Sequence, residues 1–94
     1  MLNRFTQAPS VSIIIPVHNG GESFRKCLDS LSQWATEAEV IVVADGESDS
    51  SWQLAEDYGA KVIRLPVSKG PANARNLGAK MALADILFFI DADV

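Results

Sequence analysis

An α/β fold built on a parallel sheet is what this chain of 94 residues predicts. Three observations carry that expectation. Short, β-branched apolar runs recur along the chain. Segments with apolar residues at helical spacing separate them. Each run then breaks at once into Gly, Asp, Ser or Pro. Strands that alternate with helices call for parallel pairing through right-handed crossovers.

Residues 1–10 (MLNRFTQAPS) show no periodicity and read as a lead-in, leaving 11–94 as one domain. Val11–Val17 (VSIIIPV) is almost wholly apolar, as a central parallel strand requires. His18-Asn19-Gly20-Gly21 breaks it. Phe24, Cys27, Leu28, Leu31 and Trp34 then share one face at a 3.6-residue period, with Arg25, Lys26, Asp29 and Gln33 opposite. Residues 40–44 (VIVVA) form a second strand, which runs into the turn-rich segment 45–50 (DGESDS). Ser50 with Gln53 three positions on has the form of a capping box. It would open a short helix carrying Trp52, Ala55 and Tyr58, and Gly59 would end it. Lys61–Leu65 is a third strand, stopped by Pro66. Gly70-Pro71 starts a third helix with proline at its first position. Its expected buried stripe is Ala74, Leu77, Gly78, Met81 and Ala82, with Gly78 admitting close approach to the sheet. Residues 85–90 form the fourth strand.

Composition excludes several classes. Hydrophobic residues at 48% and charged residues at 21% fit a globular chain and not a disordered one. A net charge of −4 without a basic run argues against a nucleic-acid partner. The longest apolar runs, such as 86–90, have five residues, far below the roughly 20 that span a bilayer. Neither a transmembrane segment nor a secretory signal is expected. The single cysteine, Cys27, allows no internal disulfide and no cysteine-based zinc site, and suits a reducing compartment. Cys27, Trp34 and Trp52 read as packing residues.

In open α/β sheets, ligands bind at the carboxyl ends of the strands, and the polar groups gather there. His18 and Asn19 follow the first strand, and Asp45 to Asp49 the second. Ser68, Lys69 and Gly70 follow the third and lead into Arg75, while Asp91 and Asp93 follow the fourth. Together they define one candidate cleft. Asp91-Ala92-Asp93 places two carboxylates where both reach one hard divalent cation. Mg²⁺ and Mn²⁺ prefer such oxygen ligands and keep positions open for phosphate oxygens. An acidic pair alone reads as a solvated turn; its place behind ILFFI, matched by the other strand ends, favours the metal. Asp45-Gly46 reads equally as a turn or as an acceptor for a base or ribose. Gly70-Pro71 with Arg75 reads as a diphosphate cradle at a helix N-terminus or as an ordinary helix start. His18 reads as a strand-end polar residue, because no Ser or Cys nucleophile pairs with it by motif. Neither GxGxxG nor a P-loop is present, which disfavours a dinucleotide-binding Rossmann domain.

Four blocks, in order, resemble the family 2 glycosyltransferases, enzymes of the glycosyltransferase A-type fold. Val11-Ser12-Ile13-Ile14-Ile15-Pro16-Val17-His18-Asn19 is similar to V-S-I-I-I-P-x-Y-N. Val40-Ile41-Val42-Val43-Ala44-Asp45-Gly46-Glu47-Ser48-Asp49 is similar to E-V-I-V-V-D-D-G-S-x-D. Gly70-Pro71-Ala72-Asn73-Ala74-Arg75-Asn76-Leu77-Gly78 is similar to G-x-x-x-A-R-N-x-G. Residues 86–93 end in the family's DxD. The resemblance covers residues 11–94.

It implies a Rossmann-like three-layer half-domain, a four-stranded parallel sheet in the order 3-2-1-4 with three helices. It also implies the donor-binding half of a nucleotide-sugar-dependent enzyme. Pro16, His18 and Asn19 would line the nucleotide pocket, Asp45 contact the base, and Arg75 stand near the diphosphate. Asp91 would contact the ribose and share with Asp93 the divalent metal, Mg²⁺ or Mn²⁺. The partner is then a nucleoside diphosphate-sugar, with the acceptor unspecified and the location cytoplasmic. In the family the DxD closes only the first half of the catalytic domain. The ending at Asp91-Ala92-Asp93-Val94 therefore reads as a cut through a site, lacking the acceptor subsite and general base, and the chain is expected to turn nothing over alone. No catalytic residue is assigned. Ala44 replaces the first aspartate of the Asp-Asp pair, His18 replaces tyrosine, and Ala84 replaces a glycine before Asp85. A competing expectation is a non-catalytic α/β module that pairs with a second copy through its fourth strand, where Phe88 and Ile90 lie on an unprotected edge.

Overall fold

The structure is a computed structural model that describes residues 9–33, 37–46 and 50–91. Its elements are β1 (Val11–Val17), α1 (Gly21–Leu31), β2 (Glu39–Asp45), α2 (Ser51–Tyr58), β3 (Lys61–Leu65), α3 (Pro71–Met81) and β4 (Ile86–Phe89). The sheet is wholly parallel, in the order β3-β2-β1-β4. That is the architecture expected from the family blocks.

Strand periodicity builds the layers. Ile13, Ile15 and Val17 of β1 point to one face with Val40, Val42 and Ala44 of β2, where Phe24, Leu28 and Leu31 of α1 and Ala55 of α2 cover them. Ile14, Ile41 and Val43 point to the other face and meet Ala74 of α3. The two central strands are therefore buried on both sides, which explains why neither alternates with polar residues.

Gly78 lets α3 lie close to β1. A Cβ there would fall 2.4 Å from Cγ2 of Ile14, a contact no alanine makes without displacing a branched core side chain. Gly59 ends α2 at φ 102°, a left-handed conformation that glycine adopts without penalty. Pro71 occupies the first turn of α3, as its missing N–H permits.

Several local expectations need correction. Ser50 caps α2 with its carbonyl, which accepts from Gln53 N–H at 3.0 Å, and its side chain makes no capping bond. At φ −99° and ψ 25°, Ser50 lies outside the extended region from which a capping side chain reaches back. Met81 is 53% exposed, and the buried residues of α3 are Ala74 and Gly78 alone. Ala82 is already extended chain beyond the helix. The fourth strand is shorter than 85–90, and Phe88 and Phe89 are exposed, because β4 is an edge strand. The exposed apolar residues on this edge are thus Ile86, Phe88 and Phe89, while Ile90 packs half-buried against the α1 side. Ala84 costs nothing for replacing glycine: its φ is not positive, and its N–H donates to Ser12 Oγ at 3.2 Å. Trp34 lies outside the described residues.

A polar clasp closes the amino end of the sheet. Glu39 Oε1 accepts from Ser12 Oγ at 2.6 Å and from the Leu83 N–H at 2.8 Å, and Oε2 pairs with Lys61. The Glu39 side chain is only 6% exposed. Burial pushes its carboxyl up, but the Leu83 N–H, Lys61 and Ser12 outweigh this, and the net shift is downward. The clasp ties β1, β2 and β3 to the segment that launches β4.

Candidate functional site

At the opposite end, the carboxyl ends of the strands enclose a cleft of about 490 Å³. Pro16, His18, Asn19, Asp45, Arg75 and Asp91 all line it, so these six positions, spread over 75 residues of chain, come together. Pro71, read from the sequence with Gly70 and Arg75 as a helix start beside the cleft, lines it as well, and Val17 and Gly20, which were not singled out, complete the lining. Asp93, with Glu47, Ser48 and Asp49, lies outside the described residues.

Each side chain is held by its local backbone. Asn19 has φ 52°, a left-handed conformation that asparagine tolerates better than most residues. It turns the chain sharply between β1 and α1. The His18 ring reaches across to β2, and its Nδ1–H donates to the Asp45 carbonyl at 2.7 Å. A carbonyl only accepts, so this bond fixes the proton on Nδ1 and leaves Nε2 facing away from it.

Asp45 is 4% exposed, at the last position of β2. Its carboxylate accepts three hydrogen bonds, all from the loop between β3 and α3. Oδ1 takes the Lys69 N–H at 2.8 Å, and Oδ2 takes Ser68 Oγ–H and the Gly70 N–H, both at 3.0 Å. Gly46 lets this loop come close, since a Cβ there would lie 2.3 Å from Ser68 N. The start of α3 thus already carries an anion supplied by the protein, and Pro71 has no N–H to offer. The expected cradle of free amides is partly used up. Ser68 and Lys69 are structural partners of the site that the strand-end clustering hinted at without assigning them a role.

Arg75 and Asp91 supply the opposite charges of the cleft. Arg75 Nη2 lies 3.7 Å from Asp91 Oδ1, with the side chains 38% and 57% exposed. Among the described residues no three acidic, histidine or cysteine side chains gather as a metal cage. Asp91 alone, facing the cleft, still matches how Mg²⁺ and Mn²⁺ are held: by one or two carboxylates, with phosphate and water completing the shell.

A parallel α/β sheet with a charged cleft at the carboxyl ends of its strands has that cleft where open α/β domains bind their ligands. The chain belongs to glycosyl transferase family 2, whose sequence profile matches residues 12–94. It is 39% identical over 90 residues to the uncharacterised glycosyltransferase EpsJ of Bacillus subtilis (strain 168), covering 90% of this chain and 26% of that protein. It is 38% identical over 91 residues to the 4,4'-diaponeurosporenoate glycosyltransferase of Staphylococcus haemolyticus (strain JCSC1435), covering 90% of this chain and 24% of that protein. The fold matches the mannosyltransferase PcManGT of Pyrobaculum calidifontis in complex with GDP-Man and Mn²⁺, with a TM-score of 0.82 at 22% identity, over 94% of this chain and 28% of that one. It also matches glucosyl-3-phosphoglycerate synthase of Mycobacterium tuberculosis in complex with UDP, with a TM-score of 0.72 at 28% identity, over 92% of this chain and 34% of that one. The chain spans about a quarter of the length of the curated relatives it matches.

Proposed function

We propose that the cleft binds the donor of a glycosyl transfer, a nucleoside diphosphate-sugar, together with a divalent metal. The observation that carries this is the convergence of four strand-end segments on one cleft that pairs a cation, Arg75, with a carboxylate, Asp91. Pro16, His18 and Asn19 form the wall toward the nucleoside, and Asp45 forms the floor. Arg75 faces the diphosphate with a charge-assisted bond. Asp91, joined by Asp93, holds Mg²⁺ or Mn²⁺ and accepts from the ribose. A divalent metal held there would supply positive charge opposite the diphosphate. A net charge of −4 is no obstacle, because a bound cation and Arg75 set the local field. The mycobacterial neighbour, described with Mn²⁺ and UDP, supports this choice of ligands.

The acceptor site and the base that activates the acceptor are assigned to the part of the longer relatives that this chain does not cover. A cytoplasmic setting goes with it; among the described residues no helix is long and apolar enough to cross a membrane. Titration with UDP and GDP in the presence of Mn²⁺, followed by NMR, tests the proposal. Shifts centred on Asp45, Arg75 and Asp91 are expected, and shifts confined to other residues would overturn it.

A second reading is favoured by the edge at β4, where Ile86, Phe88 and Phe89 are 56%, 57% and 48% exposed. An apolar edge strand of this kind is a template for pairing. Two copies joined there would form a non-catalytic module. Sedimentation as a monomer at high concentration would exclude it.

A further inference from the structure

Asp45 is the most constrained polar residue of the cleft, and its constraint points inward. Its buried carboxylate is engaged by Ser68, Lys69 and Gly70, and its own carbonyl holds the His18 ring. Three hydrogen bonds take up most of the roughly four acceptor sites of the carboxylate, leaving it little capacity for a ligand. Gly70 in turn carries α3: the Gly70 carbonyl accepts the Ala74 N–H at 3.1 Å, and Ala74 is fully buried against the sheet. Arg75 is the next residue. Gly70 makes no side-chain cap, so the acid at the start of this helix comes from β2, across 25 residues of chain.

We infer that Asp45 is a positioning residue, whose side chain caps α3 from the neighbouring strand and so sets the Arg75 guanidinium at the cleft while its backbone carbonyl holds the His18 ring, and that it does not read the nucleobase. This rests on the donor-site reading and gives Asp45 a different task from the base contact that the family blocks imply. A residue that positions Arg75 affects every ligand with a diphosphate, whatever its base. A residue that reads the base affects some nucleotides and leaves pyrophosphate alone.

The test is calorimetric titration of the chain with UDP, GDP and inorganic pyrophosphate, each with Mn²⁺, repeated for D45N, S68A, R75Q and D45N/R75Q. Asp45→Asn keeps the size, removes the charge and turns an amide group toward N–H donors. It is expected to weaken all three ligands by the same factor, about tenfold. Ser68→Ala removes one donor and is expected to give a smaller loss, again equal across ligands. The double variant is expected to bind within about twofold of R75Q alone, because both changes act through one guanidinium. Amide exchange at Lys69 and Gly70 is expected to quicken in D45N while that of β1 stays slow. Should D45N fail to fold, S68A carries the comparison. A loss confined to one base, with pyrophosphate binding unchanged, would overturn the inference and leave the donor site standing. So would D45N and R75Q losses that multiply in full. A wild-type chain that binds none of the three ligands would remove the donor site itself, and this role with it.

Discussion

Arg75 and Asp91 face each other across the mouth of the cleft at 3.7 Å, joining the first turns of α3 to the end of β4. Both side chains are well exposed, so the pair adds little to folding, at most ~1 kcal/mol. Its consequence lies in binding. On the proposed donor site, a diphosphate would replace Asp91 as partner of Arg75 and a divalent cation would replace Arg75 as partner of Asp91. R75Q is expected to weaken UDP binding about tenfold with the melting temperature nearly unchanged. D91N is expected to remove the gain in UDP affinity that Mn²⁺ gives. Titrations with and without Mn²⁺ check both, and an R75Q chain that binds UDP as well as wild type would refute the assignment.

Glu39 makes the fold acid-sensitive. Its carboxyl is shifted below the ordinary glutamate range, so it stabilises the native state above the unfolded value near ~4.3. That stability is lost as pH falls below this value and through the lowered native one. Urea unfolding at pH 7 and at pH 4 and below is expected to show the loss in wild type and a flatter response in E39Q. At pH 7, E39Q is expected to be less stable by about 1–3 kcal/mol, because Ser12 and the Leu83 N–H lose a charged acceptor.

Gly78 sets the distance between α3 and β1. Alanine at this position gains about 1 kcal/mol in helix propensity but meets the Ile14 methyl at 2.4 Å. Ile14 is fully buried and branched at Cβ, so it yields little. G78A is expected to lower stability by about 1 kcal/mol net, since overpacking costs roughly 1–3 kcal/mol. Chemical denaturation measures it, and a G78A chain as stable as wild type would mean that the helix shifts freely.

The β4 edge governs association. Phe88 is 57% exposed on a strand with one partner, and a lysine on such an edge blocks pairing. Wild type is expected to sediment above the monomer mass as concentration rises, and F88K to remain monomeric with its melting temperature within a few degrees. Equal sedimentation of the two would place any contact elsewhere.

Much of this was readable along the chain. β1 and β3 match their apolar runs residue for residue, and Gly59 and Pro71 stand at the helix ends where their backbone chemistry puts them. The candidate site was readable as a list of strand-end polar residues, because parallel topology brings such ends to one side. The misreadings share a cause. Met81 fits the helical stripe, and Phe89 belongs to the apolar run of the fourth strand, yet both are exposed. Periodicity identifies the face that turns inward and says nothing of how far the neighbouring layer extends.

Asp45 marks the same boundary within the site. Apolar spacing, turn residues and motif blocks were enough to place it at the end of a strand and beside a cleft, because those features depend on neighbours a few positions away. Its three partners lie 23, 24 and 25 residues further on. Only when β3 pairs beside β2 and Gly46 admits the loop does the carboxylate meet Ser68, Lys69 and Gly70. A buried carboxylate is strongly drawn to whichever N–H groups the packing brings within 3 Å. Local chemistry thus settled the elements and their order, and tertiary packing settled which groups the charged side chains answer to.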